Sequence, residues 1–182
     1  MPIEPGTYEL GPEDGSLSIR TSRKGAASKA GHDLLIRVDR WGATVQAAAD
    51  PAQSVLELTA DSTSFTVLEG SGGVKSLDAG DKEGIAQTIN QEVLKGTPIS
   101  FRSTAVRPDG DRRWHVTGDL ELANGVNLIA FDLDVSDDGH LTGTATVTQT
   151  EWGMKPYTAL FGALKVADEV QVSVDATLRK TG

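Results

Sequence analysis

Hydrophobic and polar positions alternate with a period of two along most of the chain. Leu17, Ile19 and Thr21 face one way, and Ser18, Arg20 and Ser22 face the other. The alternation returns at Leu34, Ile36 and Val38, at Leu56 and Leu58, at Phe65 and Val67, and at Ile99, Phe101 and Ser103. It continues through Trp114, Val116, Gly118, Leu120 and Leu122, then Ile129, Phe131, Leu133 and Val135, and finally Val170, Val172, Val174, Ala176 and Leu178. Each run predicts a strand with one buried and one solvated face. Residues 141–150 predict another, with a row of threonines facing solvent opposite Leu141, Gly143, Ala145 and Val147. Asn124-Gly125 between two alternating runs is a strong hairpin signal, so residues 98–150 predict an antiparallel meander.

One segment changes period. Across 81–95, Ile85, Ala86, Ile89, Val93 and Leu94 recur at helical spacing, with Lys82, Glu83, Gln87 and Glu92 opposite. This predicts an amphipathic helix, started by Asp78 or Asp81 and stopped by Gly96 and Pro98. Tyr157, Leu160, Phe161 and Leu164 predict a second short helix over 157–164. Residues 70–80 are rich in Gly and Ser and predict a mobile connection. Eight or more antiparallel strands and one inserted helix make the fold all-β, and closing into a barrel would remove exposed edges. Ser103, Ala105, Gly118, Gly143 and Ala145 fall on predicted inner faces, where small residues favour a cavity over a filled interior.

The 182 residues form a single expected domain, 1–182. Lys plus Arg number 17 against 26 Asp plus Glu, a net charge of -9. That balance argues against nucleic-acid binding and against docking on anionic lipid. No apolar run approaches the roughly 18 residues that membrane insertion needs. The absence of cysteine excludes disulfides, thiolate metal sites and cysteine nucleophiles. The start, Met-Pro-Ile-Glu-Pro-Gly, lacks the basic and apolar regions of a signal peptide. A cytoplasmic location is therefore expected, or a periplasmic or secreted one if a leader has been removed.

Candidate chemistry is sparse. His115 and His140 fall on predicted outer faces. His32 stands at the entrance to a strand, either as a polar loop residue or as a group that orients a ligand headgroup. No pair of histidines has metal-ligand spacing, so no metal site is expected. No serine lies in a Gly-x-Ser-x-Gly elbow. Gly70-Ser71-Gly72-Gly73 lacks the Gly-Lys-Ser/Thr of a phosphate loop and reads as a connection. Trp152, Met154, Tyr157 and Phe161 cluster in one stretch, either plugging a barrel end or lining a tunnel.

Several motifs together resemble the YceI-like family of lipid- and polyisoprenoid-binding proteins. They are Tyr8-Glu9-Leu10 followed by Gly15-Ser16-Leu17-Ser18-Ile19, then Lys29-Ala30-Gly31-His32-Asp33-Leu34, then the hairpin from Val116 to Val126. The closest is Thr148-Gln149-Thr150-Glu151-Trp152-Gly153-Met154-Lys155-Pro156-Tyr157 with Phe161-Gly162-Ala163-Leu164-Lys165-Val166-Ala167-Asp168-Glu169-Val170. The resemblance implies an eight-stranded antiparallel up-and-down barrel, lipocalin-like, whose apolar tunnel binds an amphiphile rather than performing catalysis. A polyisoprenoid, an isoprenoid quinone or a fatty-acid-type lipid would lie between Phe65, Phe101, Trp114, Phe131, Leu133 and Val147. His32 would meet its headgroup, and Trp152, Met154, Tyr157 and Phe161 would shape one end. Two alternatives stay open. One is an enzyme acting on an apolar substrate with His32 as acid or base. The other is a ligand-free stress-response module that binds partners through residues 70–96. A homodimer is compatible with each.

Overall fold

The computed structural model of the chain describes residues 3–181. In chain order the strands before the helix are β1 (Gly6–Leu10), β2 (Gly15–Thr21), β3 (Arg23–Lys24), β4 (His32–Val38), β5 (Trp41–Ala47), β6 (Val55–Ala60) and β7 (Phe65–Gly72). Helix α1 (Ala79–Thr88) follows. Then come β8 (Ile99–Asp109), β9 (Arg113–Leu122), β10 (Gly125–Val135), β11 (His140–Thr148), β12 (Thr158–Ala159), β13 (Leu164–Val166), β14 (Glu169–Thr177) and β15 (Arg179–Lys180).

Twelve strands form one curled antiparallel sheet, ordered β15-β1-β5-β6-β8-β9-β10-β11-β14-β2-β4-β7, beside a small sheet of β12, β13 and β3. The main sheet thus holds twelve strands where eight were expected. The extra breaks arise where polar groups divert the backbone from the ladder. Between β1 and β2, the Asp14 carboxylate accepts from the Gly11 N–H. Between β4 and β5, the Asp39 N–H bonds to the Ser64 carbonyl rather than to a strand partner. Between β6 and β7, Asp61 anchors a turn. Between β14 and β15, the Leu178 N–H reaches the Gly139 carbonyl. Because β15 follows β14 after that single residue, the ladder leaving β14 through β11 returns to the same stretch of chain through β1.

The Asp61 turn makes stability depend on acid. Its carboxylate accepts from the Thr63 N–H at 2.8 Å and hydroxyl at 2.6 Å. It also accepts from the Arg40 Nε–H at 2.9 Å. The Thr63 hydroxyl first, then its N–H and the Arg40 guanidinium, hold the carboxyl down at about 2. A carboxyl that ionises more readily folded than unfolded stabilises the fold above its ordinary range, and that contribution is lost as pH falls through about 2. Asp61→Asn keeps the turn acceptor but removes the charge. It is expected to melt below wild type at neutral pH, with the gap closing between about pH 4 and pH 2. A gap that stays constant over that range would refute the charge as its cause.

Two bulges reset the side-chain alternation. One at Thr104 shifts the β8–β9 register, so Val106 rather than Ala105 turns into the core. The expectation for Ala105 therefore fails, while Phe101 and Ser103 stay inside. The other bulge lies in β7, opposite Leu35 and Ile36. The hairpin turn also moves: Leu122 pairs with Gly125, and Ala123 and Asn124 are the two loop residues, both at positive φ. That is the turn sense that matches strand twist. Gly125 opens β10, where a Cβ would come 3.0 Å from the Trp152 carbonyl oxygen.

The helix begins at Ala79, earlier than residue 81. Asp78 caps it, its carboxylate accepting from the Asp81 N–H at 2.8 Å while Asp81 reciprocates to the Asp78 N–H. From Ile89 to Val93 the coil widens to a π turn before Gly96 ends it. The expected connection over 70–80 is shorter than its composition implied, because β7 pairs with β4 as far as Gly72. No α-helix forms over 157–164. Thr158 and Ala159 pair with Lys165 and Leu164 instead, and a single tight turn spans Leu160–Gly162. The threonine strand ends at Thr148, where Gln149–Trp152 forms a 3-10 turn.

A candidate binding cavity between the sheet and the helix

The two ends of the curled sheet are built differently. Toward one end, Val106, Trp114, Val116 and Val135 are fully buried and leave no room. Toward the other lies a cavity of about 740 Å³, within the range that small-molecule sites occupy. Its walls are strongly apolar. Ile19, Leu58, Ile129, Phe131, Val172 and Val174 point into it and are only half buried, although they lie on the inner face. Phe101 and Phe131 meet with ring centroids 5.3 Å apart at a 56° tilt. Gly118 makes room for this pair, since a Cβ there would sit 2.6 Å from the Phe101 ring. The small residues thus divide their roles. Gly118 accommodates a neighbouring ring, whereas Ala145 fronts the cavity.

Helix α1 and the π turn cover this space. Gly84, Ile85, Ile89 and Val93 line it, and no residue of α1 is fully buried. Ile85 and Ala86 pack against the core while staying half buried, and polar contacts tie down the helix margins. The Lys82 ammonium donates to the Leu68 carbonyl at 2.9 Å, and Lys75 pairs with Asp81 at 3.0 Å. Met154, Tyr157, Leu164 and Val166 close the side formed by the small sheet.

The structure brings together eight of the eleven residues expected at the site. His32, Phe65, Phe101, Phe131, Leu133, Val147, Met154 and Tyr157 all line the cavity. Three do not. Trp114, 1% exposed, belongs to the solid end of the sheet. Trp152 is buried outside the cavity, its indole N–H donating to the Leu120 carbonyl at 2.7 Å. Phe161 is fully exposed, because the turn at Leu160 and Phe161 takes positive φ and turns the ring outward. His32 Nε2 lies 2.7 Å from the Lys75 carbonyl oxygen, so that nitrogen carries the proton and pins the loop before α1. His115 and His140 face solvent beside Asp132 and Asp175.

Two contributions were not placed at the site from the sequence. The apolar face of the helix was legible, but nothing in the sequence shows which surface it covers. Gln149 was visible only as part of a motif. It is 6% exposed, lines the cavity, and donates from Nε2 to the Ala167 carbonyl at 3.0 Å. Among the described residues its Oε1 takes part in no hydrogen bond, and Gln149 stands in a wall whose lining is largely apolar. The signal available was a buried amide interrupting the threonine alternation. Among the described residues no three metal-ligating side chains converge, and no helix is long and apolar enough to cross a membrane.

The chain belongs to the YceI-like family: the YceI-like domain matches residues 8–178. Three solved structures share its fold. BcnA of Burkholderia cenocepacia superposes with a TM-score of 0.63 at 20% identity, over 91% of this chain and 96% of that one. A polyisoprenoid-binding domain from Saccharophagus degradans, implicated in plant cell wall breakdown, gives 0.60 at 8% identity, over 98% and 100%. A mutant CJ YceI protein made for nanotechnology applications gives 0.59 at 11% identity, over 81% and 85%. No curated protein matches the sequence significantly.

Proposed function

We propose that this protein binds a long-chain amphiphile, such as a polyisoprenoid, an isoprenoid quinone or a fatty-acid-type lipid, and carries or stores it without chemical change. The cavity carries this reading: its inner wall is apolar, half buried and large enough for a chain. We read each interrupted pair (β1 with β2, β4 with β5, β6 with β7, β14 with β15) as one strand of an eight-stranded barrel around it. The likeness to the polyisoprenoid-binding domain of Saccharophagus degradans supports the ligand class. At about 30 Å³ per water-sized group, 740 Å³ holds roughly 25 non-hydrogen atoms. At about 0.8 kcal/mol per buried methylene, such a chain offsets the cost of association and reaches micromolar affinity or better. Gln149 Oε1 would accept from a hydroxyl or amide on the ligand.

Native mass spectrometry of the purified protein tests this, followed by organic extraction. The expected result is a non-covalent adduct of a few hundred daltons, released as a long-chain lipid of unaltered structure. A longer chain is expected to bind with part of its length outside. If neither a retained adduct nor uptake from a panel of isoprenoids, quinones and fatty acids is seen, the proposal fails.

A further inference from the structure

The charge of this chain is unevenly placed, and two segments without acidic residues meet beside the cavity. Segments 22–31 and 153–166 contain Arg23, Lys24, Lys29, Lys155 and Lys165 and no acidic residue, in a chain whose net charge is -9. The fold joins the two segments. Lys165 pairs across strands with Lys24 and Val166 with Arg23. The Ala27 N–H donates to the Ala163 carbonyl at 3.0 Å and the Ala167 N–H to the Ser22 carbonyl at 2.7 Å. Like charges set opposite each other on neighbouring strands cost stability. All four lysines are exposed and, among the described residues, none has a carboxylate within ion-pair distance.

Apolar groups project from the same unit. Phe161 is fully exposed, and Leu160 is about half exposed. Leu160 and Phe161 are held there at φ 51° and 55°, a backbone region that costs bulky residues energy. Ala30, Gly31, Met154, Tyr157, Leu164 and Val166, from the inner side of the unit, line the cavity. One small sheet therefore carries a cavity wall, a cluster of unpaired lysines and an exposed aromatic tip.

We propose that this surface docks on an anionic lipid bilayer, with Phe161 and Leu160 entering the interface and the lysines facing the headgroups. Exposed apolar side chains on the same small unit as exposed cations match such a surface in both chemistry and sign. The net charge had argued against docking, but a sum over the whole chain hides one basic end. The facing segment 69–96 carries five acidic and three basic residues, so contact is confined to the small sheet. The purpose of docking, passage of a chain between bilayer and cavity, rests on the function proposed above; the docking itself does not.

Flotation of the full chain with phosphatidylcholine vesicles, with and without phosphatidylglycerol, tests it. The expected result is flotation only with phosphatidylglycerol, weakening as salt rises. Phe161→Ser is expected to reduce vesicle binding about tenfold or more. Lys155→Ser with Lys165→Ser is expected to do the same. None of these three residues lines the cavity, so uptake of a fluorescent fatty acid in vesicle-free solution should be unchanged. That uptake fails if the cavity reading is wrong, whatever the flotation shows. The docking proposal is overturned if the wild type ignores anionic vesicles or if both variants float as it does. It is also overturned if Phe161→Ser instead abolishes a concentration-dependent dimer, which would make a second copy of the chain the occupant.

Discussion

Ala145→Phe is expected to weaken binding of a long-chain ligand several hundred-fold while leaving the fold intact. Ala145 lies on the inner face of β11, opposite Val172, and fronts the cavity. Its neighbours Thr144 and Thr146 face solvent, so the substituted side chain has one direction to go. A phenyl ring there takes the space of roughly five methylenes, each contributing about 0.8 kcal/mol to a buried chain. Their loss comes to about 4 kcal/mol, or close to a thousandfold. The ring itself meets apolar walls and open volume, so it avoids the overpacking that enlarging a filled core brings. Titration with a fluorescent fatty acid, alongside denaturant unfolding, separates the two effects. Binding at wild-type strength would place the ligand elsewhere on the molecule.

Trp114→Ala is expected to act in the opposite way, destabilising the fold by about 3–5 kcal/mol with little effect on affinity in the folded fraction. Trp114 is 1% exposed and shares the solid end of the sheet with Val106, Val116 and Val135. That loss is a large share of the roughly 5–15 kcal/mol that holds a typical domain together. Denaturant melts measure it directly. A loss below about 1 kcal/mol would show that this end collapses around the deletion rather than depending on the indole.

These two substitutions also mark where the sequence was and was not legible. Period two placed both Trp114 and Ala145 on the inner face, and both are there. It could not say that one end is packed solid and the other hollow. That difference depends on how inner side chains from strands all round the curled sheet meet, and a linear pattern does not carry it. Breaks at Asp14, Asp39 and Asp61 were hidden for a related reason. Each aspartate lies in a polar stretch that reads equally as a turn or as a strand edge, and the choice is settled by partners far along the chain. Thr104 and Ala105 show how one extra residue inverts a face without any mark in composition. At the candidate site, alternation was enough to find Phe65, Phe101, Phe131, Leu133 and Val147. Phe161 was misplaced because an apolar residue in a Gly-flanked turn looks like a core residue until its backbone is seen.

The return of the ladder to β14 has a consequence for the order in which the molecule is made. Strand β14 bridges β11 to β2, pairing Val174 with both Gly143 and Leu17. A growing chain that has not yet emerged past residue 169 holds nearly every other strand but has an open seam between its early and late halves. Contacts so distant in sequence form late and slowly. The cavity wall is therefore incomplete until residues 169–177 have been added, and a ligand held there as proposed would enter only after that strand has closed the seam.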